Sequence, residues 1–183
     1  MAGYYRRFCK NFSAVAEPLT ALLKKGVEFE WSTKCHEAFL TIKSFLSNAP
    51  VMAAPDFSKP FKLAIDASNL AIGSVLFQED NRGIDHPIAF FSRKLNENQK
   101  NYSTIEKEAL ALVLSLQHFE VYVTSSINPV MVFSDHDPLK FTTKLGQNNN
   151  RILRWCLFFQ NFNLVISHIK GTDNIVADWL SRM

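Results

Sequence analysis

The chain has little of what marks secreted or membrane proteins. Its 183 residues include three cysteines, Cys9, Cys35 and Cys156, an odd number spread far apart. They cannot close a full set of disulfides, and no C-x-x-C or paired Cys/His spacing points to zinc, so free thiols in a reducing compartment are expected. Long apolar runs are also missing. The longest, Ala109 to Leu114, falls far short of the roughly 18 residues that suggest a membrane span. The opening MAGYYRRFCKNF lacks the apolar h-region of a secretory signal. There is no internal repeat, and the only low-complexity segment is Asn148–Asn150. The expectation is an intracellular protein, cytoplasmic or nuclear and not secreted, with no membrane partner.

Charge of one sign is scarce as well. The formal net charge is +3, and residues 1–50 supply all of it with seven Lys/Arg against four Asp/Glu, while the remainder holds thirteen of each. A polyanionic partner would have to be held by local patches rather than by global charge. What the chain does have is apolar material, 47% hydrophobic and 13% aromatic, enough to bury a good core.

The first part reads as helical. In SAVAEPLTALLKK, Leu19, Leu22 and Leu23 recur at helical spacing before Gly26, and in WSTKCHEAFLTIKSFLSNAP a helix capped by Ser32 or Thr33 places Cys35, Phe39, Ile42 and Leu46 on one face. Asn48 and Pro50 end it. The period then changes. Phe61, Leu63 and Ile65 alternate with Lys62, Ala64 and Asp66, AIGSVLFQ forms a second strand, and the turn-like EDNRGIDHP leads into a third, IAFFSRK. Helix, strand, helix, strand and helix follow: YSTIEKEALALVLSLQHF, PVMVFSD, RILRWCLFFQNF, NLVISHI and DNIVADWLSR, with a short segment around DPLKFTTKL between the second and third of these. The pattern predicts an α/β fold, a mixed sheet with helices on its faces.

The helix of residues 102–119 carries two acids with different surroundings. At about 100° per residue, Ala109, Leu112 and Leu116 fall within about 40° of Ile105 and define the buried stripe, while Glu106 lies about 100° away and Glu108 about 60°. Ser103 and Glu106 have the S-x-x-E spacing of a capping box, which explains Glu106 structurally. Glu108, beside the buried stripe, needs a cation, a hydrogen bond or a metal to offset its lost hydration. Asp66 and Asp135 each end a strand, where sites gather in open α/β sheets. Asp178 sits in the last helix close to the side of Val176 and Leu180. A cap or turn role explains each Asp separately; one shared site explains the four acids together.

The order of motifs, IDAS, E-A-L-A within an amphipathic helix, FSDHDPL and then HIKGTDNIVADWLSR, closely resembles the ribonuclease H domain of Ty3/gypsy-type long-terminal-repeat retrotransposons. Upstream, YYRRFCKNFSAVAEPLTALLKKGVEFEWSTKCHEAF and APDFSKPF resemble the end of the polymerase part and its tether, so the resemblance spans essentially the whole chain. It implies a ribonuclease H-like mixed five-stranded sheet, three antiparallel strands followed by parallel additions, in residues 55–183, behind a helical connection segment in residues 1–54. It also implies that Asp66, Glu108, Asp135 and Asp178 are metal-binding catalytic acids. Glu108 fits because Ala111 completes E-x-x-A, and Asp178 because it follows Asn174. His168, ten residues before Asp178, matches the catalytic histidine of relatives. One departure is Ala71 where relatives usually carry glycine; Gly73 is retained, and a local backbone adjustment is expected.

The activity implied is endonucleolytic hydrolysis of the RNA strand of RNA/DNA hybrids. Two Mg²⁺ ions about 4 Å apart, with Mn²⁺ as a substitute, would activate water and hold the leaving 3′ oxygen, and hard cations suit an all-carboxylate set. Lys140, Lys144, Arg151 and Arg154 around the QNNN break are candidates for phosphate contacts, with Arg6, Arg7, Lys24 and Lys25 a second group. Selectivity for a hybrid would rest on 2′-hydroxyl contacts. Partners implied are the hybrid and the polymerase part of the same polyprotein. A transposase or integrase would place its glutamate last, and a proofreading exonuclease would carry D-x-E on the first strand; here the Glu comes second and Asp66 is followed by Ala67 and Ser68. The alternative from another class is a catalytically silent, domesticated module that binds nucleic acid or protein. No polymerase Y-x-D-D motif is present, so the chain is expected to be a polyprotein fragment or a relic.

Overall fold

The computed structural model describes residues 11–47, 52–135 and 150–182. The chain divides into two compact units, Met1–Ala53 and Ala54–Met183.

In the first unit, α1 (Phe12–Ala21) packs on α2 (Thr33–Ser47). The α1 helix ends earlier than the spacing of Leu22 and Leu23 suggests, and the chain turns through Gly26 at φ 81°, the left-handed region that suits glycine. Ser32 is the cap of α2, its hydroxyl accepting from the Cys35 N–H at 3.3 Å. Cys35, Ala38 and Ile42 form the buried stripe, whereas Phe39, expected on that face, is exposed and meets the edge of Trp31.

The second unit is built on one five-stranded sheet. Its strands are β1 (Lys62–Ala67), β2 (Ala71–Glu79), β3 (Asp85–Lys94), β4 (Val130–Ser134) and β5 (Leu164–His168), in the order β3-β2-β1-β4-β5. The first three form an antiparallel meander, with Asp66 opposite Gly73; β4 then joins β1 in parallel and β5 joins β4 in parallel. The parallel pairs require crossovers. The first crossover carries α3 (Glu97–Lys100), α4 (Thr104–His118) and α5 (Glu120–Thr124), and the second carries α6 (Asn150–Phe159); α7 (Ile175–Ser181) follows β5. The segment expected around DPLKFTTKL lies outside the described residues.

Leu63, Ile65, Ile72 and Leu76 from the sheet and Leu112, Leu116 and Phe119 from the helical crossover make the core, all at most 2% exposed. Successive strand residues face opposite sides. Ser74 meets Ser115 of α4, whereas Gly73 lies against Ala177, Leu180 and Ser181 of α7. The two helices therefore cover opposite faces of the central strands. Gly73 has no substitute here, because a Cβ would sit 2.4 Å from the Ala177 carbonyl oxygen and 2.5 Å from the Ser181 nitrogen. Ala71, by contrast, is fully buried within regular β2–β3 pairing, and its carbonyl accepts from the Ser68 N–H at 2.9 Å to close the β1–β2 turn.

Candidate metal centre

Parallel pairing of β1 and β4 sets their carboxyl ends side by side, and each end carries an acid: Asp66, the penultimate residue of β1, and Asp135, just beyond β4. Glu108 comes to the same place from the first turns of α4. One oxygen from each of Asp66, Glu108 and Asp135 lies within 4.8 Å of the others.

Glu108 is only 2% exposed. Its Oε1 accepts from the Ala67 backbone N–H at 3.1 Å and its Oε2 from the Ser134 hydroxyl at 3.4 Å. Burial, then the charges of Asp66 and Asp135, push its pKa up to about 8, and those two hydrogen bonds offset the rise only in part. Burial also raises the pKa of Asp66, helped by the nearby Asp135 and Asp178 and opposed by the Ser181 hydroxyl, which donates to Asp66 Oδ2. A cation among these three acids would offset the burial and mutual repulsion that raise Glu108 and Asp66. Its donors are hard carboxylate oxygens, which suit Mg²⁺ and Mn²⁺ better than softer metals.

The fourth expected acid, Asp178, stands at the rim and outside the tight triad. Its charge is felt at Asp66, but its Oδ1 accepts from Arg182, at 2.8 Å from Nε and also from Nη2. Several groups hold α7 in place. Ser68 Oγ donates to the Ser181 carbonyl, Ser92 Oγ to the Leu180 carbonyl at 2.8 Å, and buried Asn174 donates through Nδ2 to the Ile65 carbonyl at 2.8 Å.

His168, the last residue of β5, lies opposite Ser134, and its Nε2 is 2.9 Å from the Asp135 carbonyl oxygen. A carbonyl only accepts, so this bond puts the ring proton on Nε2 and leaves the Nδ1 lone pair of the neutral ring available.

Glu106 caps its helix as the spacing implies: the Ser103 hydroxyl accepts from the Glu106 N–H, and the Glu106 carboxylate accepts from the Ser103 N–H at 2.9 Å. Its side chain is more covered than a position facing solvent would be, at 13% exposure, because Arg151 Nη1 reaches its Oε1 at 2.9 Å. The Arg151 guanidinium also lies over the Tyr102 ring, 4.0 Å from its centre. Of the other basic candidates, Arg154 is exposed on α6, and Lys24 and Lys25 are exposed beyond α1. Lys140, Lys144, Arg6 and Arg7 lie outside the described residues.

Sequence reading missed Ser134, Ser181, Arg182 and the Ala67 N–H. The i, i+4 spacing of Asp178 and Arg182 on one helix was a usable signal for that pair; Ser134 and Ser181 are informative only once their elements are packed.

Among the described residues no helix is long and apolar enough to cross a membrane. The profile of the family described as "RNase H-like domain found in reverse transcriptase" matches residues 56–162. A retrovirus-related Pol polyprotein from transposon 297 of Drosophila melanogaster is 39% identical over 184 residues, covering 100% of this chain and 17% of that polyprotein. Among solved structures, the protease-reverse transcriptase of prototype foamy virus superposes with a TM-score of 0.66 at 17% identity, over 92% of this chain and 23% of that one. LC11-RNase H1, solved in complex with an RNA/DNA hybrid, superposes with a TM-score of 0.50 at 18% identity, over 66% of this chain and 92% of that one. These two likenesses concern the fold.

Proposed function

Because this chain belongs to the RNase H-like domain family found in reverse transcriptases, we propose that it hydrolyses the RNA strand of RNA/DNA hybrids at the carboxylate cluster. The observation that carries this reading is the convergence of Asp66, Glu108 and Asp135, from three separate elements, to within 4.8 Å. Asp66, Glu108, Asp135 and Asp178 would hold two divalent cations, Mg²⁺ foremost. Such ions, when bound, supply an activated water and stabilise the leaving oxygen.

The protein's own residues do the rest. The Ala67 N–H and the Ser134 hydroxyl fix the two oxygens of Glu108, and Ser181 orients Asp66. His168, its Nε2–H donated to the Asp135 carbonyl, presents Nδ1 to take up or return a proton. Arg154, Lys140 and Lys144 supply phosphate contacts, with Arg151 joining them to the extent that Glu106 and Tyr102 release it. Residues 55–183 are the nuclease and residues 1–54 the connection from a polymerase part, within an intracellular polyprotein.

The test is incubation of the purified chain with a labelled RNA/DNA hybrid and Mg²⁺, beside Asp135→Asn. Cleavage by the wild type and none by the variant is expected. Background cleavage by both would overturn the nuclease reading in favour of a silent binding module.

A further inference from the structure

The four acids of the site are not equally ready for metal. Hydrogen bonds to Asp66 and Glu108 come from uncharged groups: the Ser181 hydroxyl, the Ala67 N–H and the Ser134 hydroxyl. Asp178 instead faces a full positive charge, with two nitrogens of the Arg182 guanidinium on its Oδ1. That guanidinium also feels the charges of Asp66 and Asp135, so it stands within electrostatic reach of two acids of the triad.

We propose that Arg182 is a built-in counter-ion of Asp178, so that the site takes its two divalent ions unequally: the first at Asp66, Glu108 and Asp135, the second only as Arg182 gives up Asp178. The proposal rests on the metal-binding reading of the cluster and adds to it a positioning residue and an order of filling. Arg182 is suited to yield. Its side chain is 67% exposed and that of Asp178 39%, and the two are one turn apart, Asp178 on α7 and Arg182 capping its C-terminal end. A pair so exposed is screened by water and contributes little on its own, so a doubly charged ion can displace it at small cost. While it lasts, however, the pair occupies one carboxylate oxygen and keeps a positive charge beside the place a second cation must enter.

Titration of the full chain with Mn²⁺, with free Mn²⁺ followed by electron paramagnetic resonance, tests this without any cleavage assay. The wild type should bind a tighter and a weaker ion. Arg182→Gln, which keeps length and polarity but removes the charge, should tighten the weaker event by about two- to fivefold, the range an exposed ion pair allows, and leave the tighter one unchanged. Arg182→Lys should stay within about twofold of the wild type, since it keeps the charge. Asp178→Asn should remove the weaker event, and Arg182→Gln should gain nothing when added to it. Two ions bound with no tightening in Arg182→Gln, or a gain that persists without Asp178, would overturn the proposal and leave the metal site standing. Absence of any Mn²⁺ binding by the wild type would overturn both.

Discussion

The Ser115 hydroxyl donates to the Ser74 hydroxyl at 2.8 Å, with both side chains fully buried between α4 and β2. This polar bond in an apolar interior ties the helix that carries Glu108 to the strand that carries Gly73. Ser115→Ala alone would strand the Ser74 hydroxyl away from water and should cost about 1–3 kcal/mol in urea unfolding. Ser74→Ala together with Ser115→Ala removes both partners and should recover most of that loss. Additive losses would show that the bond is not the coupling between the two positions.

Glu108 makes stability depend on pH. Its folded pKa, about 8, lies above the ordinary 4.5, so the folded protein holds a proton that the unfolded chain has already released. This contribution of Glu108 is therefore greatest below about pH 4.5, declines as pH rises from there through 8, and levels off above that, a loss on the order of a few kcal/mol in the ion-free protein. Asp66, also raised, adds in the same direction, whereas Asp80 is held well below the usual carboxylate range, so its contribution is constant above its ordinary 3.8 and is lost only as pH falls below that. Thermal melts from pH 5 to 8.5 should show Tm falling in chelator. Mg²⁺ should reverse the fall at pH 8, and Glu108→Gln should flatten it. A flat wild-type profile would contradict this account.

Gly73→Ala should hurt both fold and site. The new Cβ would meet backbone atoms of α7 at 2.4 and 2.5 Å and the Leu180 Cβ at 2.6 Å, so the helix itself must shift. A loss of about 1–3 kcal/mol is expected, the usual range for overpacking. Because α7 carries Asp178, the weaker Mn²⁺ event should fade before the tighter one. A variant with wild-type melting would mean that the helix has room to move.

The two glutamates of α4 should separate cleanly. Glu108→Gln should abolish hybrid cleavage while the protein still folds, since an amide fits the same buried place without the charge. Glu106→Gln should keep cleavage near the wild-type rate and lose about 1 kcal/mol from the cap and the Arg151 pair. The reverse pattern would show that the metal-facing acid is Glu106.

Much of this was legible because it is local. Alternation at Phe61, Leu63 and Ile65 announces β1, and S-x-x-E announces the start of α4. The alternation nevertheless understates the burial: Ala64, on the other side of β1, is also only 7% exposed, because α7 covers a face that the pattern leaves open. Small residues at Ala64, Gly73 and Ala177 permit that covering, and smallness carries little signal until the partner helix is known. Lys107, next to Glu108, is buried at 7% exposure with its Nζ on Asn69 Oδ1, although a lysine in an amphipathic helix reads as solvated. The Arg151–Glu106 pair spans the gap between α6 and α4, a contact no periodicity reveals. The site acids stood out in sequence because carboxylates beside apolar stripes are costly. Their serine partners did not, because a serine is unremarkable anywhere.

Gly73 gives α7 its seat on the sheet. Asp66, Glu108 and Asp135 come together through β1, α4 and the end of β4, whereas Asp178 arrives with α7. The centre is therefore divisible: whatever lifts α7 from its seat subtracts one acid and leaves the other three gathered.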